Sequence, residues 1–94
     1  MTHGILSLHL IFHSSKSLKE KRSLLKPLLH RIHREFNVSV AEMDLIDKWT
    51  ESIIAISLIS NNCNHTQSEL NSIITFMQKH FRNIEILENH IELV

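Results

Sequence analysis

The sequence predicts an α+β sandwich in which two helices cover one face of a four-stranded antiparallel sheet. Two observations carry the elements. Apolar residues alternate with a period of two over Gly4–His13 and again from Trp49 to Ser60. They recur at helical spacing over Ser17–Phe36 and from Thr66 to Asn83. A third observation carries the arrangement: the resulting order, β-α-β-β-α-β, is that of two right-handed βαβ crossovers joined by a hairpin.

In the first strand Leu6, Leu8, Leu10 and Phe12 form the large apolar set and are expected in the core. Ile5, Ser7, His9, Ile11 and His13 point the other way. Ser14, Ser15 and Lys16 make the loop into the first helix.

That helix opens on a capping box, Ser17 with Glu20. The hydroxyl accepts from the N3 amide and the carboxylate reaches back to the N-cap amide. Its apolar stripe is Leu18, Leu25, Leu29, Ile32 and Phe36, widened by Leu24 and Leu28. Pro27 falls opposite this stripe. The Ser23 carbonyl it frees would face water there, so one kinked helix is expected rather than two.

A second strand covers Asn37–Met43, with Val38 and Val40 alternating against Ser39 and Ala41. Asp44 to Lys48 is a turn whose carboxylates suit turn formation better than acid/base chemistry. The third strand begins at Trp49, expected as its anchor. Ile54, Ile56 and Leu58 share one face, and Ile53, Ala55, Ser57 and Ile59 the other. Asn61 to Asn64 is loop chemistry, and Thr66 with Glu69 is a second capping box. Leu70, Ile73, Ile74, Met77 and Phe81 form the second helix stripe up to Asn83. A final strand runs from Ile84 to Val94 and carries Glu85, Glu88 and Glu92.

This order is the split βαβ, or ferredoxin-like, sandwich, and residues 1–94 form one domain. With 43% hydrophobic residues, one glycine and one proline, the chain is ordered throughout. The single cysteine, Cys63, cannot pair internally, and it has no basic neighbour in sequence to activate its thiol. No signal peptide and no apolar run of membrane-spanning length is read. A soluble cytoplasmic protein is expected.

Four segments in register then carry a resemblance. Gly4-Ile5-Leu6, Ser17-Leu18-Lys19-Glu20-Lys21-Arg22, Phe36-Asn37-Val38-Ser39-Val40-Ala41-Glu42 and Asp44-x-x-Asp47-x-Trp49 resemble the YlxP-like family of small bacterial proteins of unknown function. The resemblance covers essentially the whole chain. It implies a ferredoxin-like fold and a gene neighbourhood beside translation initiation and ribosome-binding factors. The chain departs from the family in Pro27 and in its abundance of histidine. The family has no established active site, so the resemblance transfers no catalytic residue.

Net charge is zero but unevenly placed. Residues 16–36 carry seven basic side chains against two acidic ones, and the remainder three against eight. Lys19, Arg22, Lys26, His30 and Arg34 lie on one flank of the first helix and are the candidate phosphate-binding set. Histidines there add charge below neutral pH. The competing reading is a solvated basic face that offsets the acidic last strand. The leading expectation is a non-enzymatic module that binds RNA or a ribosomal particle. The alternative, from another class, is a protein–protein adaptor or homo-oligomer using the open sheet face at Ile5, His9, Ile11, Ala55 and Ile59.

Other chemistries lack their residues. His13-Ser14-Ser15-Lys16 has neither the glycine nor the arginine of an acylphosphatase loop. One cysteine excludes a metallochaperone pair or an iron–sulfur ligand set. The open face offers no aromatic for base stacking of the RNA-recognition type. His9 and His13 stand roughly 13 Å apart along a strand, too far to share a metal. His30 and His33 have the right spacing but no third ligand nearby. No metal or cofactor site is expected.

Overall fold

The computed structural model describes residues 1–94. Its elements are β1 (Thr2–Ile11), α1 (Leu18–Glu35), β2 (Ser39–Asp44), β3 (Glu51–Ser60), α2 (Cys63–His80) and β4 (Glu85–Leu93). The strands form one sheet in the order β2-β3-β1-β4, every neighbouring pair antiparallel. This is the ferredoxin-like α+β sandwich that the sequence predicts. No helix is long and apolar enough to cross a membrane.

Alternation builds the core. Leu6, Leu8, Leu10 and Phe12 of the first strand and its exit are buried, as are Ile54, Ile56 and Leu58 of β3. Leu25, Leu28 and Ile32 of α1 and Leu70, Ile73 and Met77 of α2 close over them. Gly4 sits in the inward row where α2 crosses most closely. A Cβ there would lie 2.4 Å from Thr66 Cγ2 and 2.9 Å from Leu70 Cδ1, so no side chain fits without displacing the helix.

Several local expectations shift. Strand ends move by one to two residues: β1 ends at Ile11 rather than His13, β2 starts at Ser39, and β3 starts at Glu51. Ser17 caps α1 by accepting from the Glu20 amide at 3.0 Å, but Glu20 Oε2 accepts from the Lys16 amide, one residue before the expected partner. Pro27 lies inside a single continuous α1. The second helix starts at Cys63, not Thr66, because Asn62 Oδ1 accepts from the His65 amide at 3.0 Å. Thr66 is buried one turn in, its hydroxyl 2.6 Å from Ser60 Oγ. The helix ends at His80 instead of Asn83. Trp49 anchors nothing: it precedes β3 in an irregular turn and is 57% exposed.

Two β-bulges matter for the surface. The register slips between Glu42 and Asp44 on β2, and opposite His9 and Leu10 on β4. The extra residues, Met43 and Leu87, are thrown outward and stand 62% and 50% exposed.

Candidate functional site

All five cationic candidates on α1, Lys19, Arg22, Lys26, His30 and Arg34, are exposed. The ion pairs of the molecule are His9–Glu51, His13–Glu85, Lys21–Glu42, Arg31–Glu35 and Arg34–Glu35. Lys19, Arg22 and Lys26 therefore have no carboxylate within 4.0 Å. Arg34 meets Glu35 only at 3.9 Å.

The topology separates these charges from the acidic strand. The buried bonds of α1 reach the β2–β3 side of the sheet, whereas α2 packs on β1, β3 and β4. Arg31 stacks over the Phe76 ring of α2 at 5.1 Å, which marks the α1 flank that faces the other helix. On the helical wheel Arg22, Lys26 and Lys19 lie about 180°, 140° and 120° from Arg31, on the flank away from α2, whereas His30 faces outward and Arg34 lies about 60° from Arg31. β4, with Glu85, Glu88 and Glu92, is the far edge of the sheet from β2. Lys19, Arg22 and Lys26 are thus unpaired and lie away from the acidic strand, while Arg34 at the far end of the arc meets Glu35. His33 is occupied differently: its Nδ1 lies 2.9 Å from the Val38 carbonyl oxygen.

The residue that charge counting overlooks is Lys21. It belongs to the buried stripe, which is Lys21, Leu25, Leu28 and Ile32, rotated from the predicted Leu18–Phe36 line. Its side chain is fully buried. Nζ donates to Glu42 Oε2 at 3.0 Å, and to the carbonyls of Leu45 at 3.0 Å, Ile46 at 3.1 Å and Glu51 at 3.1 Å. Three N–H groups face four acceptors, so one is shared. Buried Ser52 donates to the same Glu42 oxygen at 2.7 Å.

Two patterns announce this pair. Lys21 precedes Leu25, Leu28 and Ile32 at i+4, i+7 and i+11, the spacing of one helix face. Glu42 extends the inward row of Val38 and Val40. Opposite charges on two inward-facing rows predict a buried ion pair, because neither is affordable alone. The pair holds the β2–β3 loop from below. Leu45 takes a left-handed φ of 59°, and its amide donates to Asp44 Oδ1 at 2.8 Å.

On the open sheet face Ile5, His9, Ile11 and Ala55 are half-buried, and Ile59 is 63% exposed. The cross-strand register sets Ile5 beside Ser57, Ser7 beside Ala55 and His9 beside Ile53. His9 Nε2 lies 2.8 Å from Glu51 Oε1, and His3 Nε2 lies 2.6 Å from Ser57 Oγ. The face is a mixed polar and apolar surface, stitched by its own side chains. No cluster of three or more His, Cys, Asp or Glu is placed to hold a metal ion.

A family model described as "Protein of unknown function (DUF503)" matches residues 4–91. The chain belongs to the DUF503 family. It is 34% identical over 82 residues to the uncharacterized protein YlxP of Bacillus subtilis (strain 168), spanning 87% of this chain and 88% of that one. Among solved structures, the de novo designed protein Foldit4 superposes with a TM-score of 0.55. That match covers 100% of this chain and 97% of Foldit4 at 16% identity, a likeness of fold alone. The four segments in which the YlxP-like resemblance is read include both ends of the buried pair, Lys21 and Glu42, and the loop they hold.

Proposed function

We propose that this DUF503 chain is a binding module that docks on RNA or a ribonucleoprotein through the exposed flank of α1. Lys19, Arg22 and Lys26 contact backbone phosphates, with His30 and Arg34 extending the row. The observation that carries this reading is the exposure of three cations without any carboxylate partner, on the side of the molecule away from its acidic strand. Phosphate contacts position a partner without reading its sequence. That suits a face with cations and no aromatic among them. The gene neighbourhood implied by the YlxP-like resemblance supports the same assignment.

The test is co-sedimentation of the protein with ribosomal particles at low salt. The Lys19→Glu/Arg22→Glu/Lys26→Glu variant should stay in the supernatant while the unmodified protein pellets. Equal pelleting of both would remove the proposal. A second reading, self-association or adaptor docking through the open sheet face, is favoured by the exposure of Ile59 on the same face as Ile5, Ile11 and Ala55. Ile59→Arg or Ile11→Arg should then dissociate an oligomer in light scattering. A monomeric parent at high concentration argues against self-association.

A further inference from the structure

The loop held by Lys21 carries a second exposed surface of opposite character to the helix arc. Met43, Ile46 and Trp49 stand 62%, 50% and 57% exposed within seven residues of chain. Scattered exposed apolar residues are ordinary, but three large ones on one short loop are a patch. Met43 and Ile46 line an open depression of about 440 Å³ together with Asp44, Leu45, Asp47 and Lys48, and Trp49 follows it directly in the chain. Asp44 and Asp47 stand exposed at the same rim with no cation within 4.0 Å of either carboxylate.

The patch is built rather than left over. A bulge turns Met43 outward from β2, and the ammonium of Lys21 takes up the Leu45 and Ile46 carbonyls from below. A loop fixed in this way presents its side chains at little further ordering cost on binding.

From this geometry we infer that the β2–β3 loop is a docking site for a cationic protein segment, one whose Lys or Arg side chains flank an apolar anchor. The apolar anchor covers Met43 and Ile46. A guanidinium or ammonium lies over the Trp49 ring, where the quadrupole attracts cations, and meets the unpaired carboxylates of Asp44 and Asp47. With Asp44 and Asp47 against the single ammonium of Lys48 the rim is net negative, which favours this occupant over RNA. The surface is opposite in sign to the α1 arc, although the loop itself rests on α1 through Lys21.

Trp49 is the sole tryptophan and the chain has no tyrosine, so the protein's emission reports this loop alone. The probe is a fluorescein-labelled peptide of alternating arginine, lysine and leucine, with a glutamate-for-basic version as control. The cationic peptide should shift Trp49 emission saturably in the micromolar range, and the glutamate peptide should leave it unchanged. By fluorescein anisotropy, Asp47→Lys should weaken binding at least tenfold. That carboxylate makes no hydrogen bond in the fold, so its loss leaves the melting temperature unchanged. Trp49→Ser should weaken binding several-fold, and the α1 triple reversal to glutamate should not weaken it. Equal response to both peptides, undiminished binding by Asp47→Lys, or saturable quenching of Trp49 by an oligouridine would each overturn the inference. Those outcomes leave the α1 proposal untouched, which the ribosome co-sedimentation decides separately.

Discussion

Replacing Lys21 by methionine keeps most of the side chain's length and removes its charge. The Glu42 carboxylate, whose side chain is 17% exposed, then loses its only cation. Three carbonyls, those of Leu45, Ile46 and Glu51, lose a donor as well. Ser52 remains to donate a single hydrogen bond to Glu42. Breaking a buried pair by deleting one partner costs about 3–5 kcal/mol. A chain of this size has roughly 5–14 kcal/mol of total stability, so the variant should sit close to the edge of folding. At some 4–8 °C per kcal/mol the melting temperature should fall by roughly 12–40 °C. Urea unfolding followed by far-ultraviolet circular dichroism measures the loss directly. The double variant Lys21→Met/Glu42→Leu removes both charges and should recover much of the deficit, since an apolar pair of similar volume is often neutral in such a site. A single-variant loss below about 1 kcal/mol would refute the reasoning, because no buried charge could then have been stranded. So would a double variant no more stable than the single one.

Other substitutions test the remaining construction. Gly4→Ala should destabilise by about 1–3 kcal/mol in urea unfolding, through the clash with Thr66 and Leu70. Asn62→Ala should cost about 1 kcal/mol and fray the first turn of α2, seen as faster amide exchange at His65. Pro27→Ala should raise stability by about 1–3 kcal/mol, since the new amide can bond the Ser23 carbonyl within an already continuous helix.

Much of the fold is legible in the alternation and spacing of leucine and isoleucine. Leu6, Leu8, Leu10 and Phe12 occupy the core because period-two patterning leaves a half-buried strand no other register. The helix stripes are equally legible, but the centre of the first is misplaced. Reading Lys21 as one more surface charge rotates the inferred face away from it, and only tertiary pairing with Glu42 brings an ammonium inside. The start of α2 is ambiguous for a local reason. Asn62 and Thr66 both carry capping side chains, and the burial of Thr66 under Gly4 decides in favour of Asn62. Trp49 reads as an anchor from size alone. Its exposure follows from the bulged, lysine-held loop before it, which sequence periodicity does not encode. The exposure of Lys19, Arg22, Lys26, His30 and Arg34, by contrast, is readable in the sequence, since exposure is the default for charged side chains on a helix flank away from the core.

The most direct measurement is the salt dependence of binding to a single-stranded RNA oligonucleotide. Three phosphate contacts from Lys19, Arg22 and Lys26 predict a slope of about −2 in log affinity against log salt, at roughly −0.7 per contact. The triple reversal to glutamate should flatten that slope toward zero and abolish measurable affinity. A parent protein with no salt dependence, or a triple variant with the same slope as the parent, would contradict a phosphate-binding face on α1.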